Sequence, residues 1–351
     1  MNQQFYLDLA AQGLRMPIGT DLLLHEQPDP ADILLNGDRL GKTVESAARR
    51  YRTPLAFPLM DLRLEKADLL AAIGISESES DSFHFEQVPT ADQMAAVREG
   101  NWPFSRRIAA NQQAVSYVAE HTDLVPVGML IGPFSLMTKL LADPISPVAM
   151  AAAGGTAAED EDVCKVERCL QMAEAVVRRS AKAQIQAGAK ALIVCEPAAN
   201  IVYISPRQLR AGSDVFERFV LGPNRQLRAL LREHGVDLIF HDCGELLTEM
   251  VQQFARELEP SMLSLGASRE LWKDAVVVPK PVVLFGNLPT KSFYSDAVMP
   301  IDEVRRRTIE LKRRMEECGH PHILGSECDV LHVSEAAETI RAKVEVMLTA
   351  V

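Results

Sequence analysis

The sequence predicts an α/β protein, a (β/α)8 TIM barrel with an insertion after the second strand. Three observations carry that expectation. About eight short apolar runs recur along the chain, each followed by a segment with helical periodicity. At 351 residues the chain is longer than an ordinary domain yet within the size of such barrels. Its composition, 47% hydrophobic with 5% aromatic and 24% charged residues, can bury a large core and carries no signature of disorder.

Candidate strands fall at residues 17–24, 53–60, 124–131, 191–194, 236–240, 261–265, 282–285 and 321–324. Between them lie amphipathic stretches such as VERCLQMAEAVVRRSAKAQIQAG and PIDEVRRRTIELKRRMEECG, which read as helices. The same alternation would feed an open doubly wound sheet. The barrel is preferred because the last strand, PHILG, leads into EAAETIRAKVEVML, placed as an eighth helix would be. No internal repeat suggests a solenoid. The polar runs SESESDS (76–82) and AAGGTAAEDED (152–162) read as surface loops. The first opens the longest connection, and about 75–121 is expected to form a helical cap over one mouth of the barrel. With no linker to mark a second domain, residues 1–351 are read as a single barrel domain.

Charge narrows the partners. Lys and Arg number 37 against 48 Asp and Glu, a net charge of −11, which argues against a nucleic-acid or anionic-membrane surface. No apolar run has the length of a membrane span, and MNQQFYLDLAAQGLR lacks the layout of a signal peptide, so a cytoplasmic location is expected. There the six cysteines would be reduced thiols or metal ligands rather than disulfides.

Working residues in such barrels sit where strands finish. The fifth run, GVDLIFHDCGEL, ends in His241 and Cys243, and the eighth, HILGSECDVL, is followed by Cys328 after a few residues. Carboxyl ends face one mouth, so the two strands can bring His241, Cys243 and Cys328 round one ion. One imidazole and two thiolates suit zinc with a fourth position open to substrate. The alternative is that these are packed strand-end residues. A rival cluster, Cys318, His320 and His322, precedes the eighth strand and lies too far from Cys328 to share an ion; a turn at Gly319 to Pro321 accounts for it. Cys164 and Cys169 fall on a helix, and Cys195 reads as packed.

The chain also resembles the uroporphyrinogen decarboxylase superfamily, and within it the zinc-dependent methyltransferases that move a methyl group between a corrinoid protein and the thiol of coenzyme M. The matching segments are VGMLIGPFSLMTKLL, QAGAKALIVCEPAANIVYISP, IFHDCGEL, LSLGASREL, PVVLFGNLP and HILGSECDVLHVSEAAETIRAKVE. The specific part is the His-x-Cys pair followed much later by a Cys in a G-x-x-C-D setting, at His241, Cys243 and Cys328. The resemblance implies zinc as cofactor, methylcobalamin carried by a partner corrinoid protein, and a small thiol as acceptor. It also implies the reverse exchange as an alternative, a methylated small molecule loading the corrinoid.

Departures from the pattern are specific. The decarboxylases grip substrate carboxylates with an amino-terminal arginine-rich motif, where this chain reads QGLRMPIGTD with Arg15 alone. Asp61, in FPLMDL, stands where that branch keeps its catalytic aspartate and is a candidate substrate contact, so a metal-independent lyase remains an alternative. LSLGASRE is similar to the zinc strand of cobalamin-independent methionine synthase, with Gly266 where that enzyme has a glutamate ligand. Glu196, at the end of the fourth strand, reads as a ligand, a substrate contact or a solvated loop carboxylate; Glu327, beside Cys328, is a weaker candidate ligand. Asn287 in FGNLP reads as a substrate contact or a loop cap. Arg207 and Lys291 lie near strand ends, where loop bases either read an anionic group or contact only water. No catalytic residue is expected beyond the metal ligands.

Overall fold

Strand and helix in alternation close into a barrel only if the strands run parallel. The computed structural model, which describes Met1 and residues 3–351, has this arrangement. The strands are β1 (Arg15–Ile18), β2 (Leu55–Ala56), β3 (Val125–Ile131), β4 (Ala191–Cys195), β5 (Asp237–Asp242), β6 (Met262–Leu265), β7 (Val283–Leu288) and β8 (His322–Asp329). All pair parallel in the order β1-β8-β7-β6-β5-β4-β3-β2, a curled α/β ladder of the (β/α)8 type. Among the described residues β1 and β2 share no ladder pair. Side chains join them instead: Thr53 Oγ1 donates to Met16 Sδ at 3.1 Å, and Thr20 Oγ1 to Phe57 O at 2.6 Å.

Several boundaries differ from the sequence expectation: β2, expected over 53–60, is Leu55–Ala56 alone, and β5 and β7 end at Asp242 and Leu288, beyond 240 and 285. The first strand was expected over 17–24, but β1 ends at Ile18 and Thr20–Leu24 is a helix. A short apolar run fits either form, and the backbone leaves the extended region at Gly19 (φ −133°, ψ 24°), where the choice is made. At the other end of the chain β8 continues to Asp329, so Cys328 lies within the strand and not a few residues after it. Gly325 pairs with Met16 and Asp329 with Ile18, so β8 spends four residues where β1 spends two. That bulge lies where Ile18 N donates to Ser326 Oγ at 3.0 Å, just before Cys328.

The interior follows the period of two. Val127 and Met129, Ala191, Ile193 and Cys195, Ile239, Met262, Val283, Phe285 and Ile323 form one buried cluster inside the barrel. Tyr6 and Leu9 of helix Gln3–Ala11 belong to it and close the floor, with Tyr6 OH donating to Asp237 Oδ2 at 3.1 Å. The alternate residues Leu192, Val194, Leu238, Phe240, Leu263 and Leu284 face the helical shell.

The long connection after β2 forms helices Leu64–Ala72, Ala91–Glu99 and Arg106–His121. The second starts at a capping box: Thr90 Oγ1 accepts from Gln93 N at 3.2 Å, and the Gln93 side chain accepts from Thr90 N at 2.9 Å. It packs on helix Glu161–Gln186 and on Leu64–Ala72, whereas Arg106–His121 packs on Gly37–Arg50 and on β3. Arg15 is spent on the framework, its Nη1 donating to Leu348 O at 3.3 Å and Ala350 O at 2.5 Å at the end of helix Ala337–Thr349. No helix is long and apolar enough to cross a membrane among the described residues.

Glu65 is buried between two of these helices, with Oε1 accepting from Ser180 Oγ at 2.8 Å and Oε2 without a partner. Loss of solvent pushes its pKa up to about 7 from an ordinary 4.5. The folded chain therefore holds this proton more tightly than the unfolded chain. Stability that is present below about pH 4.5 should be lost as the pH rises through about 7, by up to roughly 3 kcal/mol. Glu65→Gln should flatten that slope, measured by urea unfolding at about pH 5 and about pH 8. An unchanged slope would place the titration elsewhere.

Candidate metal centre

Ladder register sets the site. Cys195, His241 and Ser264 pair across β4, β5 and β6 in one row. His241 stands two residues beyond the inward-facing Ile239, so its imidazole tops the packed lumen. The ring is buried, at 1% exposure, and its Nδ1 meets Ser264 Oγ at 2.8 Å. A ring hydrogen on Nδ1, donated to that hydroxyl, leaves Nε2 as a bare lone pair. Nε2 is buried and without a hydrogen-bond partner, an expensive condition unless something else takes the lone pair.

Two sulfurs stand beside it. Cys243 follows β5 directly and Cys328 belongs to β8, and the ligating atoms of His241, Cys243 and Cys328 all lie within 4.8 Å of one another. It is the one such group of metal-ligating side chains among the described residues. Both thiols are half-buried and unpaired. Their closeness lowers the pKa of Cys243 and raises that of Cys328. The charge of Lys291 also lowers the pKa of Cys243.

Three loops hold the cluster in place. Ala267 N donates to Glu327 Oε2 at 3.1 Å and Lys291 N to Glu327 Oε1 at 3.4 Å, so the residue beside Cys328 ties together the loops after β6 and β7. Asn287 donates from Nδ2 to Gly266 O at 2.8 Å and to Arg269 O at 2.9 Å; its amide caps the loop after β6. Gly266 lies against the backbone of Cys243, with room for no side chain.

Glu196 is fully buried at the end of β4, so it is not a solvated loop carboxylate. Its Oε1 accepts from Phe134 N at 3.1 Å and Asn224 Nδ2 at 2.8 Å, and its Oε2 from Ser135 N at 2.8 Å. Burial raises its pKa, and these donors act against that rise. The carboxylate fills the space over Gly132, where a Cβ would stand 2.0 Å from Glu196 Cδ. Asp61 lies after β2, half-buried, with Arg63 Nε at 3.0 Å and Arg107 Nη2 at 3.4 Å. Asp242, between the first two members of the cluster, is buried with Oδ1 accepting from Gly244 N at 2.8 Å, and burial holds its carboxyl well above the usual range.

The rival histidines are framework. His320 Nε2 meets Val282 O at 2.9 Å and His322 Nε2 meets Gly286 O at 2.7 Å, fastening β8 to β7 after a left-handed Gly319 (φ 59°). Ser264 was not singled out from the sequence, and Gly266 was noted only for the ligand it lacks. The alternation in LSLGAS could have found Ser264, one row from His241 on the inner face.

A parallel barrel with an imidazole and two thiols gathered at the carboxyl ends of its strands defines the class of site. The chain belongs to the uroporphyrinogen decarboxylase family: the model of that family, described as Uroporphyrinogen decarboxylase (URO-D), matches residues 31–349. A methyltransferase from Methanosarcina mazei has a similar structure, with a TM-score of 0.68 over 99% of this chain and 98% of that one at 16% sequence identity. That similarity is one of fold. A comparison with curated protein sequences returns no match.

A Cβ at Gly266 would stand 2.6 Å from Cys243 O and 2.9 Å from Cys243 Cα. Gly266→Ala should therefore displace the Cys243 backbone and destabilise the fold by about 1–3 kcal/mol, read as a lower urea midpoint. An unchanged midpoint would show that the loop yields freely.

Proposed function

We propose that this protein is a zinc-dependent methyltransferase, moving a methyl group between a corrinoid on a partner protein, as methylcobalamin, and a small thiol such as coenzyme M. The observation that carries this reading is the convergence of His241 Nε2 with the Cys243 and Cys328 sulfurs, the nitrogen being buried, unpartnered and set by Ser264. One nitrogen and two sulfurs fit zinc, with a fourth position for substrate. Bound there, zinc would draw the proton from an acceptor thiol at neutral pH, while two thiolates cancel its charge and leave the acceptor sulfur nucleophilic.

The residues of the chain hold and orient. Ser264 fixes the imidazole, Glu327 and Gly266 hold the two sulfur carriers together, and the apolar barrel interior beneath the cluster keeps water out from below. The partner's corrinoid, when bound, would supply the methyl group and keep the electron pair of its bond to carbon, the acceptor's proton would go to solvent, and the residues here would align the two reactants. Demethylation of a methylated small molecule is the same exchange started from the other side. In this reading Glu196 and Asn287 act through the framework they fasten, and Asp61 is the remaining candidate for a substrate contact. We read the protein as cytoplasmic, a location that its free cysteines fit, and the similarity in fold to a methyltransferase supports the methyltransferase assignment. A decarboxylase-like lyase has less support, because Arg15 is committed to a helix end and Asp61 is already paired with two arginines.

Elemental mass spectrometry on protein purified with reductant and zinc should find about one zinc per chain. Cys243→Ala and Cys328→Ala should abolish both zinc retention and methyl transfer to a thiol. Ser264→Ala keeps all three ligands and should weaken zinc binding by about 10–100-fold. Full zinc binding and activity in the Cys243→Ala protein would sink the assignment and direct attention to Asp61.

A further inference from the structure

Helix Glu161–Gln186 packs on the outside of β3, and a cavity of about 570 Å³ opens between it, the end of helix Ala91–Glu99 and the segment that follows. Glu174, Arg178 and Lys182 recur at every fourth position, so one face of the long helix makes a charged wall. Arg98 comes from the last turn of the shorter helix. Gly100, left-handed at φ 69°, ends that helix ahead of Trp102 and Phe104. Arg179 is held there: Nη1 donates to Asp68 Oδ2, Nη2 donates to Trp102 O at 2.5 Å, and the guanidinium lies 4.1 Å and 3.6 Å from the ring centres of Trp102 and Phe104. Its charge is balanced by a buried carboxylate, and it fixes this side of the cavity.

The other cations are not balanced. The side chains of Arg98 and Lys182 have no hydrogen-bond or ion-pair partner among the described residues, and Arg178 has only a neutral amide, its Nη2 donating to Gln226 Oε1 at 3.1 Å. Arg98, Arg178 and Lys182 against Glu174 leave an excess of two positive charges in this cavity, on a chain whose net charge is −11. Arg178 and Lys182, one turn apart, repel each other unless negative charge comes between them. Val97, Phe104, Ala175 and Ala183 add apolar surface to the same lining.

We propose that this cavity is a second binding site, separate from the metal centre, for a small phosphorylated molecule with an apolar body. A phosphate dianion matches the excess of two charges, which a single carboxylate does not. Guanidinium forks from Arg98 and Arg178 suit its oxygens, and Lys182 adds a point charge. The apolar part of the lining takes the body of the molecule, and the volume is that of an ordinary small-molecule site. No residue of the metal centre lines this cavity, so it serves a purpose apart from the transfer chemistry.

The test titrates the full-length protein calorimetrically at about pH 8 with phenyl phosphate, a dianion there, with inorganic phosphate and with benzoate. Phenyl phosphate should bind at about one per chain, and the other two, which lack the ring or the second charge, about tenfold more weakly. The double variant Arg98→Gln/Lys182→Gln should bind phenyl phosphate at least about tenfold more weakly with its urea midpoint unchanged, since both side chains are exposed. Lys42→Gln/Arg305→Gln removes the same charge from exposed positions outside the cavity and should leave binding intact. Equal losses in the two double variants overturn the proposal, because net charge alone would then be felt. It is also overturned by a wild type that binds no phenyl phosphate, or that binds it no better than inorganic phosphate at about 0.15 M salt, the mark of an adventitious ion only. None of these readings needs zinc or methyl transfer, so the proposal stands or falls apart from the methyltransferase assignment.

Discussion

The register of the parallel ladder is the constraint on which the centre depends. Strands that all run one way put their carboxyl ends on one face, and the pairing of Cys195, His241 and Ser264 sets those residues in one row. A slip of one residue in β5 would turn His241 to the helical shell and bring Asp242 inward, replacing an imidazole with a carboxyl group. Packing beneath the row opposes such a slip, because Ile239 would leave the lumen as His241 left the mouth. The apolar core and the chemistry of the site are thus specified by the same alternation.

Ladder register alone does not bring Cys328 to Cys243, since β5 and β8 are separated by β6 and β7. Two local devices complete the arrangement. The bulge in β8 changes the direction of its last residues, and Glu327 accepts from the backbones of the two intervening loops. Glu196 does similar work on the other side of β5, where it seals the start of helix Pro133–Lys139. Each carboxylate occupies a position that a reader of the sequence would assign to ligand binding. Each is instead consumed by backbone N–H groups, which in a buried place must be satisfied by something.

Much of this could be read from the sequence. The alternation of apolar runs and amphipathic helices gave the barrel, and His241, Cys243 and Cys328 could be named because strand ends share one face. What escaped depends on interactions that no local pattern encodes. Thr20–Leu24 reads equally well as strand or helix until its neighbours are known. Glu196 looked open because its residue type favours water, and its burial follows from the missing side chain at Gly132, far away in sequence. Lys291 looked like one loop base among many; a turn of three residues after β7 brings its backbone N–H to Glu327.

The floor formed by helix Gln3–Ala11 carries a further implication. With Tyr6 wedged beneath the apolar lining and anchored to Asp237, the packed interior is closed from below. Whatever reaches the imidazole and the two thiols must enter and leave over the same rim. In the proposed reaction a bulky methyl carrier and a small acceptor would share that one doorway.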